Sequence, residues 1–307
     1  MKTAIVTGAN GFVGSAVVKE LLKNNYYVYA LARPNRISHV PIHDNLKVLP
    51  CELSEIKIFK EMFPECSGNI FYHFAWAGSA GEERGNTALQ LQNVQWTVDA
   101  LRTAKEIGCD RFVCAGSITE HETIVSAYED GNHPGMGYIY GAGKVAAHIM
   151  CMSVATQIGI DLIWPEISNA YGIGEISPRL VNSTLRKCIQ GICPEFTSGT
   201  QNYDFVYIDD VARAFRMIGE NGRPFHRYLI GSSNPKPLKE FLMEMQRAVA
   251  PQLEFKFGDI PFTGVDLPLS VFNSAKTRAH TGFQAEVSFS EGCKKTIEWL
   301  KNQENVR

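Results

Sequence analysis

The chain has 307 residues, 45% hydrophobic and 20% charged, with a formal net charge of −2. That length accommodates one large domain with an appendage, and the composition is that of an ordinary globular protein. The near-neutral balance excludes a strong electrostatic pull toward nucleic acid or anionic membrane. No apolar stretch approaches the ~20 residues of a membrane span. The opening MKTAIVTGANGFVG breaks into glycines too early for a signal peptide, so a cytoplasmic protein is expected. Its eight cysteines (51, 66, 109, 114, 151, 188, 193 and 293) include no C-x-x-C pair and no matching His/Cys set, and read as buried free thiols.

In chain order, a β-rich run at Thr3–Thr7 leads through TGANGFVG into a helical segment at Phe12–Asn24. Gly8, Gly11 and Gly14 stand at the strand-to-helix turn as G-x-x-G-x-x-G. The first glycine permits the tight reversal, the second lets a pyrophosphate approach the backbone, and the third lets helix pack close on strand. This context points to a dinucleotide cofactor.

A second strand follows at Tyr27–Ala32, running into Arg33-Pro34. An acidic residue at this exit would accept from a ribose 2′-hydroxyl, whereas an arginine suits a 2′-phosphate. With Arg33 here, NADP(H) is favoured and NAD(H) is the alternative; Arg33 as a plain solvated loop residue stays open.

Further strands are predicted at Leu46–Pro50, Ile70–Ala75, Arg111–Ala115 and Asp161–Pro165. Helices are predicted at Glu55–Phe63, Thr87–Ile107 and Tyr140–Ile158. Strand and helix in alternation predict a parallel sheet covered on both faces, a doubly wound Rossmann-type α/β fold. His73 reads as a strand-end histidine near the cofactor, and Phe71, Phe74 and Trp76 as core and pocket lining. Ser117 lies just past the fifth strand, at the sheet edge where such folds bind ligands. Glu120, His121 and Glu122 read as adjacent loop residues that do not converge on an ion, so no metal is expected. Tyr140 and Lys144 are i,i+4 on one helix face, where the ammonium favours the phenolate.

After Pro165 the alternation fades through the loop-like AYGIGEISP. Helices are expected around Leu180–Gln190, Asp209–Ile218, Leu238–Ala248 and Ser290–Lys301. Strands are expected near Phe205–Ile208, Tyr228–Ile230 and Leu253–Phe257. Asp209-Asp210 reads as a helix start. Residues 1–165 and 205–230 are assigned to the dinucleotide-binding domain, and 166–204 and 231–307 to a smaller C-terminal α+β substrate cap.

With these pieces in place, the chain resembles an extended short-chain dehydrogenase/reductase, of the branch holding nucleotide-sugar epimerases, dehydratases and ketoreductases. The resemblance rests on TGANGFVG (7–14), YHFAWAG (72–78), LQNVQWT (91–97), FVCAGSIT (112–119), YGAGK (140–144), NAYGIG (169–174) and YDFVYIDDVARAF (203–215). It implies a catalytic triad of Ser117, Tyr140 and Lys144. It implies cofactor contacts from Asn10, Phe12 and Val13 beside the glycines, from Phe74, Ala75 and Ile167, and from Glu52 and Leu53 near the adenine. Asn93 would support the active site from the central helix. Ala77, Thr119, Asn169, Arg179 and Tyr203 would face a substrate, expected to be a nucleotide-sugar. Helices 87–107 and 140–158 would pair in a homodimer.

Dehydratases of this branch carry Asp-Glu just after the strand-end Ser/Thr; here those positions are Ile118 and Thr119, with Glu120 and Glu122 out of register, so a dehydratase is not expected. The expected activity is NADPH-dependent reduction of a 4-keto-6-deoxy nucleotide-sugar, with an NAD-dependent 4-epimerase as the alternative. A reading of another class, an NADP(H)-binding regulator without turnover, is disfavoured because the Tyr/Lys pair is retained. Relatives that handle nucleotide-sugars commonly place an arginine where this chain has Tyr203, and Arg-Pro where it has Glu166-Ile167. Arg179, Arg186 or Lys187 could supply the missing charge, or be ordinary helix-surface residues.

Overall fold

The computed structural model describes residues 1–35, 40, 42–131 and 133–304. The strands are β1 (Thr3–Thr7), β2 (Tyr27–Ala32), β3 (Leu46–Pro50), β4 (Ile70–His73), β5 (Arg111–Cys114), β6 (Gly116–Ser117), β7 (Asp161–Ile167), β8 (Asn169–Tyr171), β9 (Glu195–Phe196), β10 (Asn202–Tyr203), β11 (Phe205–Tyr207), β12 (Arg227–Ile230), β13 (Lys236–Pro237) and β14 (Lys256–Phe257). The α-helices are α1 (Phe12–Lys23), α2 (Phe59–Met62), α3 (Thr87–Glu106), α4 (Thr119–Ala127), α5 (Tyr138–Ile158), α6 (Leu180–Ile189), α7 (Ile208–Asn221), α8 (Leu238–Val249), α9 (Ala275–Thr281) and α10 (Phe289–Glu304).

The main sheet runs β3-β2-β1-β4-β5-β7-β12, with β6 added beside β7, and its pairings are all parallel. The order reverses between β1 and β4, which opens a crevice at their carboxyl ends. The central strands β1, β4 and β5 are buried on both faces, so they read as near-continuous apolar runs whose alternate residues enter different cores. Ala4 and Val6 join one cluster with α1 and α7; Ile5, Phe71 and Phe112 join the other, beneath α3 and α5.

The helix expected at 55–63 is a 3-10 segment, Leu53–Ile58, followed by one α-turn. The seventh strand continues past Pro165 to Ile167. Proline is tolerated there because the β5 pairing ends at Ile163 and the β6 pairing starts at Glu166, so no ladder bond is lost on that side. Residues 119–127, read as loop, form α4, a short polar helix whose apolar pattern is too weak to mark it.

Beyond β7, β8 pairs with β11, β10 with β13, and β9 with β14, while α6, α8 and α10 pack together. Helix α9 rests on α7 and β12, against the large sheet. All eight cysteines are free; seven are buried and Cys193 is exposed, against the expectation that the set is buried. No helix among the described residues is long and apolar enough to cross a membrane.

Candidate active site

The crevice begins at the turn after β1. Gly8 has φ +66°, and a Cβ there would meet the Ala75 amide nitrogen at 2.8 Å. A Cβ on Gly14 would lie 2.1 Å from the Gly8 carbonyl oxygen. Larger residues would therefore push apart the turn, the β4 exit and α1. Gly11 caps α1 without a side-chain bond, leaving the first-turn amides free for an anion. This cradle fits a dinucleotide pyrophosphate.

Thr7 and His73 lock the floor. Thr7 Oγ1 and His73 Nδ1 are 2.9 Å apart, and the Phe74 and Ala75 amides donate to Thr7 Oγ1 at 3.2 and 3.3 Å. Strand β4 ends at His73 rather than at the expected Ala75. Burial, then the nearby Lys144 charge, pushes the His73 imidazole down to about 3, so it stays neutral.

The cleft that follows has a volume of about 600 Å³. Gly8, Asn10, Gly11, Phe12, Val13, Gly14, Arg33, Glu52, Leu53, Phe74, Ala75, Ala77 and Arg179 all line it. Asn93, Tyr140, Lys144 and Ile167, also expected to contact the cofactor, do not. Asn93 instead clamps Ala77, accepting from its amide at 2.9 Å and donating to its carbonyl at 2.8 Å. Ile167 pairs with Ser117 between β7 and β6.

Tyr140 and Lys144 pack against Trp76, which lines the cleft; neither they nor Ser117 line it themselves. Lys144 Nζ donates to the Ala115 carbonyl at 2.9 Å and lies 3.7 Å from the centre of the Trp76 ring and 6.0 Å from that of Tyr140. The Trp76 and Tyr140 rings meet edge-on at 5.9 Å. Ser117 Oγ donates to Thr119 Oγ1 at 3.1 Å, and the Ser117 amide donates to Glu120 Oε1 at 2.8 Å.

Two further lobes of about 280 Å³ each adjoin this group and share Arg84, Asn169 and Tyr203. Thr119 and Glu122, one turn apart on α4, both line the second lobe. Burial raises the Glu122 carboxyl, against the opposing charges of Arg84 and His121. Helical periodicity thus brings the Glu122 carboxyl into the same lobe as Thr119, although it lies out of register with the dehydratase pair. Arg84 was also missed: it sits in a short 3-10 turn, Glu82–Gly85, in a stretch with no periodic signal. Its guanidinium carbon lies 4.6 Å from the Tyr140 ring centre.

Glu120 and His121 point elsewhere. Glu120, His148 and Glu166 bring their ligand atoms within 4.8 Å of one another, a convergence the loop reading did not foresee. The group is already internally bonded. Trp164 Nε1 donates to Glu120 at 3.1 Å, and Glu166 takes His121 at 2.9 Å and Arg227 Nε at 2.9 Å. Burial alone would raise the Glu166 carboxyl; its His121 hydrogen bond and the Arg227 charge outweigh that and hold it below the usual range.

A family model described as NAD dependent epimerase/dehydratase family matches residues 4–231. The chain is 23% identical to an Arabidopsis thaliana trifunctional UDP-glucose 4,6-dehydratase/UDP-4-keto-6-deoxy-D-glucose 3,5-epimerase/UDP-4-keto-L-rhamnose-reductase, covering 97% of this chain and 47%, about half, of that longer protein. Among solved structures, the UDP-glucose 4-epimerase of Thermotoga maritima with UDP-glucose superposes with a TM-score of 0.83 at 19% identity, over 98% of this chain and 99% of that one. The UDP-glucuronic acid 4-epimerase of Bacillus cereus, solved with UDP-glucuronic acid and NAD, does so with a TM-score of 0.77 at 18% identity, over 98% and 99%.

Proposed function

Since the chain belongs to the NAD dependent epimerase/dehydratase family, we propose that it is an NADP(H)-dependent reductase of a 4-keto-6-deoxy nucleotide-sugar. Two of the relatives above act on or bind UDP-sugars by name, which supports the substrate class. In this reading Tyr140 protonates the carbonyl oxygen, Ser117 polarises it, and Lys144 holds the phenol's electrostatics and the nicotinamide ribose. The cofactor, when bound, supplies the hydride.

The observation that carries the reading is that Arg33 lines the far end of the cleft, on the same wall as Glu52. Glu55 Oε2 accepts from the Glu52 amide at 3.1 Å, which ties the Glu52 backbone into the start of the 3-10 turn. The exposed Arg33 is the positive charge on this wall suited to a ribose 2′ substituent.

The test is titration of the purified protein with NADPH and NADH, with a check for cofactor retained through purification. Tight NADPH binding to protein isolated empty, and NADPH oxidation with a 4-keto-6-deoxy nucleotide-sugar, is the expected result. Retained NAD(H) with little affinity for NADPH would replace this reading by an NAD-dependent 4-epimerase. Tyr140→Phe should abolish turnover and leave cofactor binding intact; equal activity would refute Tyr140 as the acid and leave the regulator reading standing.

A further inference from the structure

We propose that Glu120 is a positioning residue for Ser117: its buried carboxylate holds the Ser117 amide and so fixes where the Ser117 hydroxyl stands. The proposal rests on the reading above in which Ser117 polarises the substrate carbonyl, and adds what keeps that serine in place.

The backbone of Ser117 is the first reason. Strand β6 has two residues and pairs with β7. On that side the Ile118 amide donates to the Ile167 carbonyl at 2.9 Å. Alternation along the strand turns the Ser117 N–H the other way, where β6 has no partner strand among the described residues. Glu120 Oε1 meets it there at 2.8 Å. A buried amide without an acceptor is costly, so loss of the carboxylate would turn this peptide toward another partner. Ser117 Oγ would move with it, away from the Thr119 amide, from which it accepts at 3.2 Å.

The setting of the carboxylate is the second. Glu120 is 3% exposed, and its oxygens face nitrogens from two further elements. Trp164 Nε1, from β7, donates to Oε1 and Oε2 at 3.1 and 3.2 Å, and His148 Nδ1, from α5, lies 3.4 Å from Oε2. The His148 ring stacks on the Trp164 indole with 4.5 Å between centres. A carboxylate can accept at both oxygens, whereas a carboxamide would turn an NH2 group toward one of these nitrogens. A glutamate in the first turn of a helix often bonds back to a preceding amide as a local cap. Trp164 and His148 anchor this one from outside its own helix.

Gly116 is the third. A Cβ there would lie 2.5 Å from Trp164 Nε1 and 2.8 Å from Glu120 Oε1, so only a residue without a side chain lets indole and carboxylate close on β6. One residue earlier, the Ala115 carbonyl accepts from Lys144 Nζ at 2.9 Å. The segment 115–117 is thus pinned by Lys144 at one end and by Glu120 at the other.

The experiment is a double-mutant cycle on kcat for NADPH oxidation, with wild type, E120Q, S117A and E120Q/S117A, and an NADPH titration of each. E120Q should lower kcat about thirtyfold, change KM far less and leave the NADPH Kd unchanged. In the S117A background the same substitution should cost about twofold at most, because no hydroxyl is left to position. Equal losses in both backgrounds, or an unchanged kcat in a folded E120Q, overturn the proposal and leave the ketosugar reading intact. Hydrogen exchange at the Ser117 amide, read by NMR on the NADPH-bound protein, decides the matter without turnover. E120Q should exchange there about tenfold faster, and unchanged protection overturns the proposal. A wild type that reduces no ketosugar overturns the reductase reading alone, the exchange result still judging Glu120. Should E120Q not fold, W164F, which withdraws one donor from Glu120, enters the same cycle, equal losses again overturning the proposal.

Discussion

The ammonium of Lys144 lies 3.7 Å from the centre of the Trp76 ring, closer to that indole than to the phenol ring of Tyr140 at 6.0 Å. Trp76 is itself pinned by Gln90, whose Oε1 accepts from the indole nitrogen at 2.7 Å. Lys144 is thus located by an aromatic face on one side and the Ala115 carbonyl on the other. A buried cation–π contact is worth about 1–2 kcal/mol. Trp76→Ala should therefore lower kcat roughly tenfold, with a smaller change in substrate KM, read in steady-state kinetics. An unchanged kcat would show that Ala115 alone holds the lysine.

Glu122 offers a second check, through pH. Its carboxyl is raised by burial, so the folded protein holds that proton more tightly than the unfolded chain. The resulting stabilisation is complete below the unfolded carboxylate range and is lost as pH rises through the folded value. Glu122→Gln cannot ionise; it should match wild type in urea denaturation at pH 4 and exceed it at pH 8. A variant less stable than wild type at pH 8 would show that ionised Glu122 supports the fold.

His73 has the opposite sign. Its folded value of about 3 lies below the ordinary 6.5, so its contribution is present above 6.5 and is lost as pH falls toward 3. Wild type should lose stability across that window. His73→Gln, lacking the ionisation, should show a flatter profile together with a lower baseline from the broken Thr7 contact. Parallel pH profiles for the two proteins would remove His73 from the acid response.

The outer faces of α3 and α5 carry exposed apolar side chains, Leu91 on the first and Ile149, Met150 and Met152 on the second. Such a patch on two packed helices is expected to be covered in solution by the same patch of a second copy. Light scattering should give a dimer mass, and Ile149→Arg should shift it to monomer with the circular dichroism spectrum unchanged. A monomeric wild type would refute the pairing.

Much of this protein was legible before any coordinates. The bounds of β1, β2 and β3 agree residue for residue with the expected runs: β1 and β2 as buried apolar runs, and β3, at the sheet edge, in spite of its exposed Lys47. The glycine turn was legible because its residue types answer to local backbone geometry: φ at Gly8, close approach at Gly14. The i,i+4 spacing of Tyr140 and Lys144 was legible because helix periodicity is local.

What the sequence could not decide depends on chain segments far apart. Helix α4 carries too little apolar pattern to announce itself, and only its formation sends Glu122 to the lobe lined by Thr119 and Glu120 inward to Ser117 and Trp164. His148 and Glu166 reach Glu120 from α5 and β7, across separations that no local spacing encodes. Arg84 looked like any charged residue in a polar loop; only packing set it over Tyr140 and left its Nε buried without an acceptor. Period and backbone demands are written residue by residue and so fixed the frame, whereas the pairing or orphaning of charges is a property of distance in space, which only the tertiary fold decides.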